Sequence, residues 1–492
     1  MSAVALSVLL GLSTLATPAV SAPTVPATAQ DHLHHFVTRP DLRPPRITVH
    51  QASEGTAPGF IFLAPKTDTL SLDPALPQGG PEIVDDQGRP VWFGPRGDGM
   101  LIRTAAFQSQ VYRGQPVLTW WEGLPVPVDQ IGNPVFGNWV VMDQSYRVIA
   151  RVKPGNGLSF SDMHDMRLTP QNTALIMVYK QTLRRVGNVL QPVLDNVIQE
   201  VDVTTGRVLF QWNSLDHIGL SESYFPRRDG VPYHYLHLNS LSLDNDGNIL
   251  VSGRHTSAVY KIHRKTGEII WRLGGKKSDF TLEDGASFSW QHHVSREPDG
   301  TISLFDNTAI TNSTTAEKPS RGIVLDVDTG KKTASLKRSH PSPDRLLSGT
   351  QGSMQLLPNG NAFVGWGTHG YVTEFSAGNK VLFNASFDKE LINSYRAFRF
   401  PWHGKPAGPP AVAGRTADEG MTVYASWNGA TDVASWRFLA GPSPDTLEEV
   451  KEVPRNGFET SAAVAVRAPY VGVQALDRDG KVLGTSEAAA VR

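Results

Sequence analysis

The chain has 492 residues, 40% of them hydrophobic and 19% charged, which suffices for several packed units or one large repeat body. Its 46 Lys and Arg balance 47 Asp and Glu, so the formal charge of -1 lacks the basic footprint of a nucleic-acid binder. No cysteine is present, which excludes disulfides, thiolate metal sites, thiol redox chemistry and a Cys nucleophile, and 45 Gly with 35 Pro point to many turns.

The N-terminus opens on an apolar run, Val4 to Leu15, followed by small residues that suit a signal peptidase cut after Ala22 or after Ala29. Residues 1–29 are therefore predicted to be a signal peptide and the protein to be secreted; the alternative is an Ala/Pro-rich leader on a cytosolic chain. Residues 30–45 read as a linker, in which His32, His34 and His35 are expected to be solvated. Two glycosylation sequons, at Asn312 and Asn384, fit export from a eukaryotic cell. No later run reaches the ~18 apolar residues of a membrane span.

From residue 46 one pattern recurs. Six segments, starting at Glu82, Val140, Gln199, Val259, Val324 and Val372, read as strand, Asp/Gly turn, strand. A second hairpin precedes the last four, at Met166–Ile176, Leu241–Leu250, Val294–Leu304 and Met354–Phe363, with degenerate versions at Gly59–Leu63 and Val117–Trp121. Two hairpins per unit make a four-stranded sheet, and six units make an all-β, six-bladed β-propeller over 46–402. Trp120, Trp121, Trp139, Trp212 and Trp271 are assigned to blade cores, and Asp244–Gly247 to a hairpin turn rather than a calcium loop. Ser394–Trp402 reads as the last strand of this body, and residues 403–411 as a Gly/Pro-rich linker. Alternating strands over 412–492 resemble a fibronectin type III or immunoglobulin-like sandwich, with Trp427 and Tyr470 as its expected core anchors.

A propeller brings equivalent positions of its inner strands to one axis. Six residues before the turn prolines Pro170 and Pro298 stand His164 and His292; the equivalent position in the next unit is Asn239, with His237 two residues earlier on the same strand face. Arg254 follows the partner strand at the same end. Such a cluster is open to three readings: metal binding, a hydrogen-bonded structural plug, or an anion site in which Arg and Asn hold an oxyanion while one neutral His attacks and another moves a proton. Asp165, beside His164, either orients that ring or caps a turn.

The strings Asp162-Met-His-Asp165, His237-Leu-Asn-Ser-Leu241, Ser252-Gly-Arg-His-Thr-Ser257, Ile270-Trp-Arg-Leu-Gly-Gly275 and Phe288-Ser-Trp-Gln-His-His293, in this order, resemble the propeller-type arylsulfotransferases, most of all the branch of fungi and actinomycetes. The resemblance covers about residues 46 to 402. It implies transfer of a sulfuryl group from an aryl sulfate to a phenol, without a nucleotide donor, by a ping-pong route through a sulfated histidine. Carried onto this sequence, it implies His292 as nucleophile, His237, Asn239 and Arg254 as ligands of the sulfate oxygens, and His164 as the imidazole serving the phenolic oxygen. A one-residue slip would exchange His292 with His293, which faces the other way. Cofactor and metal are expected to be none, the partners to be aryl sulfate and phenolic small molecules, and the oligomeric state is left open. The competing classes are a non-catalytic propeller that binds a ligand or partner in its channel and a metal-dependent propeller hydrolase.

Overall fold

The structure, a computed structural model, describes residues 32–67, 77–96, 102–124, 136–186, 188–387 and 392–492. The leader assigned to 1–29 lies outside these residues. Strands dominate, arranged in eight small sheets that are antiparallel except at one edge pairing. Six of them follow one another along the chain and carry four strands each in meander order, with one extra edge strand on the fifth and on the sixth. All six repeated hairpins are the third and fourth strands counted from the inner one of such a sheet, for example Glu82–Val84 with Pro90–Phe93 and Ala258–Ile262 with Ile269–Gly274. The turn chemistry is local: Asp85 Oδ1 accepts from the backbone N–H groups of Gln87 and Arg89, and Gly88 takes the left-handed conformation (φ 73°) that closes the turn.

The first sheet is built differently. Its inner strand, Asn393–Phe400, comes from the far end of the body and pairs with Phe60–Lys66, so Gly59–Leu63 lies on the second strand of its sheet with no inner strand just before it in sequence, and the two ends of this body are zipped together. The inner strands of the other sheets are Arg103–Tyr112, Met166–Leu168, Leu238–Leu243, His292–Arg296 and Ser353–Leu356, and neighbouring ones touch in unbroken succession back to Asn393–Phe400. The core is accordingly divided into six apolar clusters, each shared by two neighbouring sheets; Leu175, Ile198 and Trp212 of the third sheet, for instance, pack on Leu241, Val251 and Tyr260 of the fourth. Because both faces of each sheet are covered, strands such as Ile249–Gly253 are buried along their whole length. Trp120, Trp121, Trp139, Trp212 and Trp271 all lie in these clusters.

Strands from Ala411 onward form a three-stranded and a four-stranded sheet, with a short further strand, around a core of their own. The buried indole there is Trp436, not Trp427: Trp427 is half-buried and donates Nε1–H to Gly408 O, and Tyr470 is also half-buried at a strand end. The supposed solvated linker is not free either. Val37 N–H and Thr38 N–H donate to the Glu459 carboxylate, Phe36 packs on Phe458 at 4.3 Å, and His34 stacks on Phe36, where burial lowers its pKa to about 4. Asn428 exchanges two hydrogen bonds with the Phe93 backbone and Tyr146 OH donates to Gly429 O, which fastens this unit to the first two sheets. Of the sequons, Asn312 is exposed, whereas Asn384 is buried in a strand and bonded to Asp344.

Candidate active site

Inner strands from five sheets begin close to one point. His164 stands two residues before Met166–Leu168, His237 one before Leu238–Leu243, His292 opens its strand, Gln351 lies two before Ser353–Leu356, and Tyr395 is the third residue of Asn393–Phe400. The backbone here is unusual for side-chain-bearing residues: His237, Trp290, His293 and Gln351 all have φ between 50° and 67°. That kink at His237 breaks the two-residue alternation, so His237 and Asn239 do not simply share a face. His237 turns to His164 and His234, while Asn239 is fully buried, donates Nδ2–H to Gln291 O on the neighbouring strand and keeps its Oδ1 without a partner.

Hydrogen bonds fix most of the tautomers. Asp162 Oδ1 lies 2.6 Å from His164 Nδ1, so this nitrogen carries the hydrogen and Nε2 faces His237 Nε2 at 3.2 Å. His237 Nδ1 in turn lies 3.2 Å from His234 Nδ1, and His234 Nε2 is buried without a partner. Asp162 thus terminates a string of three imidazoles. Asp165, the alternative considered from sequence, neither orients His164 nor caps a turn: it accepts from Leu241 N–H and pairs with Arg396 at 3.0 Å.

At His292 the orientation is set by an amide. Asn307 spends its Nδ2–H groups on Ser348 O and Gln351 O, so its Oδ1 must be the atom 2.7 Å from His292 Nδ1, which therefore donates. The Nε2 lone pair is left facing the Gln351 N–H at 3.2 Å. His293 turns away, donating Nδ1–H to Met354 O and lying against Phe398 and Arg167 beneath the cluster.

Arg254 opens the turn after Ile249–Gly253, where a Cβ on Gly253 would come within 2.7 Å of Thr256 and Leu236 side-chain atoms, so only glycine allows the tight exit. The residue is 5% exposed, and its guanidinium donates to His255 Nε2 at 2.9 Å and to Gly349 O at 2.7 Å, lies over the Trp290 ring, and keeps Nε without a partner. No carboxylate is within ion-pair distance of it among the described residues. Burial lowers its pKa to about 10. Burial also holds His234, His237 and His292 well below the ordinary imidazole range, with Arg254 and neighbouring imidazoles adding to the effect, and lowers His255 to about 3. The result is a set of neutral rings around one cation. His234, His237 and His255 form the one metal-type trio among the described residues, their nitrogens within 4.8 Å of one another. That trio fits a cation poorly, because His255 donates Nδ1–H to His234 O and its Nε2 lone pair is already taken by Arg254.

Sequence reasoning selected His164, His237, Asn239, Arg254 and His292 and passed over His234, His255, Tyr179, Asn307, Gln351 and Tyr395. His255 adjoins Arg254 and His234 stands three residues before His237, so proximity to chosen residues was the available signal; Asn307 and Gln351 offered none. An 810 Å³ surface groove bounded by Arg113, Arg147, Thr204 and Lys405 includes none of these residues.

The sequence pattern described as Arylsulfotransferase (ASST) matches residues 108–388, which include all five of these imidazoles and Arg254. The chain belongs to the arylsulfotransferase family. It is therefore a sulfotransferase enzyme. No curated protein matches the chain. Similar solved structures include a protein of unknown function from Bacteroides caccae, 13% identical over 69% of this chain and 98% of that one with a TM-score of 0.41. A streptogramin B lyase is 8% identical over 78% and 93% with a TM-score of 0.31, and Sqt1 of Saccharomyces cerevisiae 11% identical over 78% and 82% with a TM-score of 0.32. Among the described residues of the sulfotransferase no helix is long and apolar enough to cross a membrane.

Proposed function

We propose that this sulfotransferase moves a sulfuryl group from an aryl sulfate to a phenolic acceptor by a ping-pong route in which His292 Nε2 is sulfated and no nucleotide donor takes part. The observation that carries the reading is Arg254, a buried guanidinium with no carboxylate beside it, surrounded by neutral imidazoles. A buried cation left unpaired by the protein is a site for an anion, and a sulfate monoester brings one negative charge and a pair of terminal oxygens on its tetrahedral sulfur that the planar guanidinium fork can engage. His292 supports the role of nucleophile because Asn307 holds its hydrogen on Nδ1 and leaves the Nε2 lone pair for sulfur. The Gln351 N–H now at that lone pair would become a donor to the sulfuryl oxygens. Sulfuryl transfer, like phosphoryl transfer, depends chiefly on alignment and on donors aimed at spreading charge.

In the same reading the six successive sheets are the blades of a six-bladed propeller closed by the Asn393–Phe400 strand, with domain limits near 46 and 402, and 412–492 is a fibronectin III-like sandwich bracing it. The protein acts outside the cell after removal of the leader.

Incubation with 4-nitrophenyl sulfate and a phenol tests the chemistry. Acceptor-dependent nitrophenol release that survives chelator, and a gain of one sulfuryl group on the peptide containing His292, are expected; His292→Ala abolishes both. The adduct on another histidine reassigns the nucleophile, chelator sensitivity favours a metal-dependent hydrolase, and anion binding without turnover leaves a silent binding propeller.

A further inference from the structure

Of the five imidazoles around Arg254, His164 is the one bonded to a carboxylate. His292 donates to an amide, His255 to a backbone carbonyl, and His234 and His237 meet other imidazoles. The carboxylate is itself pinned. Asp162 donates its backbone N–H to Met177 O, accepts Trp139 Nε1–H at its carbonyl, and uses Oδ1 for both the N–H and Nδ1–H of His164. Asp162 is 2% exposed, and its Oδ2 has no partner.

We propose that Asp162 is a positioning residue that makes His164 the acid–base group of both half-reactions. The inference rests on the sulfohistidine reading above. The groups facing His164 are Asp162, Tyr179, His237 and Tyr395, with His234, His255, His292 and Arg254 in the next layer and Arg396 below, bound to Asp165. Asp162 is the acidic side chain bonded to this ring, so it holds the hydrogen on Nδ1 and turns Nε2 into the cluster as the atom that exchanges a proton.

The proton count closes over the cycle. In the first half-reaction the S–O(aryl) bond breaks as His292 Nε2 bonds sulfur; the aryl oxygen leaves with the electron pair and takes the proton from His164 Nε2, and His164 goes from imidazolium to neutral. In the second, the acceptor O–H gives its proton to His164 Nε2 while its oxygen bonds sulfur and the N–S electron pair returns to His292. The hydrogen on His164 Nδ1 stays there, donated to Asp162, throughout. His237 Nε2, 3.2 Å from His164 Nε2, either receives or supplies the hydrogen of that contact as the charge changes and yields the position to the phenolic oxygen.

The test is single-turnover release of phenols of rising basicity, from 4-nitrophenyl to phenyl sulfate, by the full-length enzyme and by Asp162→Asn. A good leaving group needs little proton donation, so nitrophenol release should fall less than ~10-fold and phenol release ~10²-fold or more. If Asp162→Asn does not fold, as judged by melting, His164→Gln carries the same leaving-group test. Equal slowing across the series overturns the role of Asp162. The His292 adduct is measured in the same samples: its absence in the wild-type enzyme defeats the sulfohistidine reading, whereas its presence with a flat leaving-group response defeats only this inference.

Discussion

Two buried regions stacked at the centre of the molecule use the same residue types to opposite ends. In the lower one every guanidinium has an acid or amide to hold: Arg396 pairs with Asp165 at 3.0 Å, Arg399 with Glu374 and Asp86 at 2.7 Å, and Arg167 donates to Gln108. In the upper one Arg254 has imidazole and carbonyl partners and, among the described residues, no carboxylate within ion-pair distance. A paired buried ion is finished structure; an unpaired one is a binding site maintained at a cost in desolvation. Adjacent residues show the same divide, since His292 presents a lone pair to the upper cluster and His293 is bonded into the lower one.

Removing the proposed nucleophile should have the largest effect. His292→Ala is expected to lower transfer at least ~10⁴-fold while leaving the melting temperature nearly unchanged, read by turnover and thermal denaturation. Next, Arg396→Ala should cost about 3–5 kcal/mol of stability by stranding buried Asp165, measured by denaturant unfolding. Arg254→Ala should do the reverse. A loss of about 10²–10³ in rate (2.7–4 kcal/mol) is expected with stability held or raised, and a large stability loss there would erase the contrast between the two regions. A smaller effect is expected from acid. Burial lowers His234, His237, His255 and His292, so their contribution to stability is complete above the unfolded value of 6.5 and is lost as pH falls toward the folded values, about 3 for His255. Unfolding curves between pH 7 and 4 should show that decline. Smallest of all, His293→Gln, which keeps a donor for Met354 O, should retain activity within a few-fold; a loss matching that of His292→Ala would exchange the two assignments.

The contrast also separates what a linear reading can find from what it cannot. His164 and His292 are legible because they sit at fixed offsets from a turn that recurs in four successive sheets, and turn chemistry is local. His234 and His255 escape the offset because they lie in connecting segments, one before an inner strand and one just after a hairpin partner. Asn307 and Gln351 carry no pattern, although together they fix the tautomer of His292. Asp165 looked like the natural companion of His164, yet Asp162, two residues on the other side, holds the ring.

By itself the sequence determined the repeat of turns and strands, the apolar stripes that become shared cores, and the presence of several imidazoles and one guanidinium at matched repeat positions. Each of these is written within a dozen neighbouring residues. Tertiary structure alone decided which carboxylates reach which cations, that Arg254 reaches none among the described residues, that Trp436 rather than Trp427 fills the second core, and that Phe60–Lys66 finds its partner more than three hundred residues away. Those outcomes depend on closure of the ring, which sets distances between segments that share no local signal.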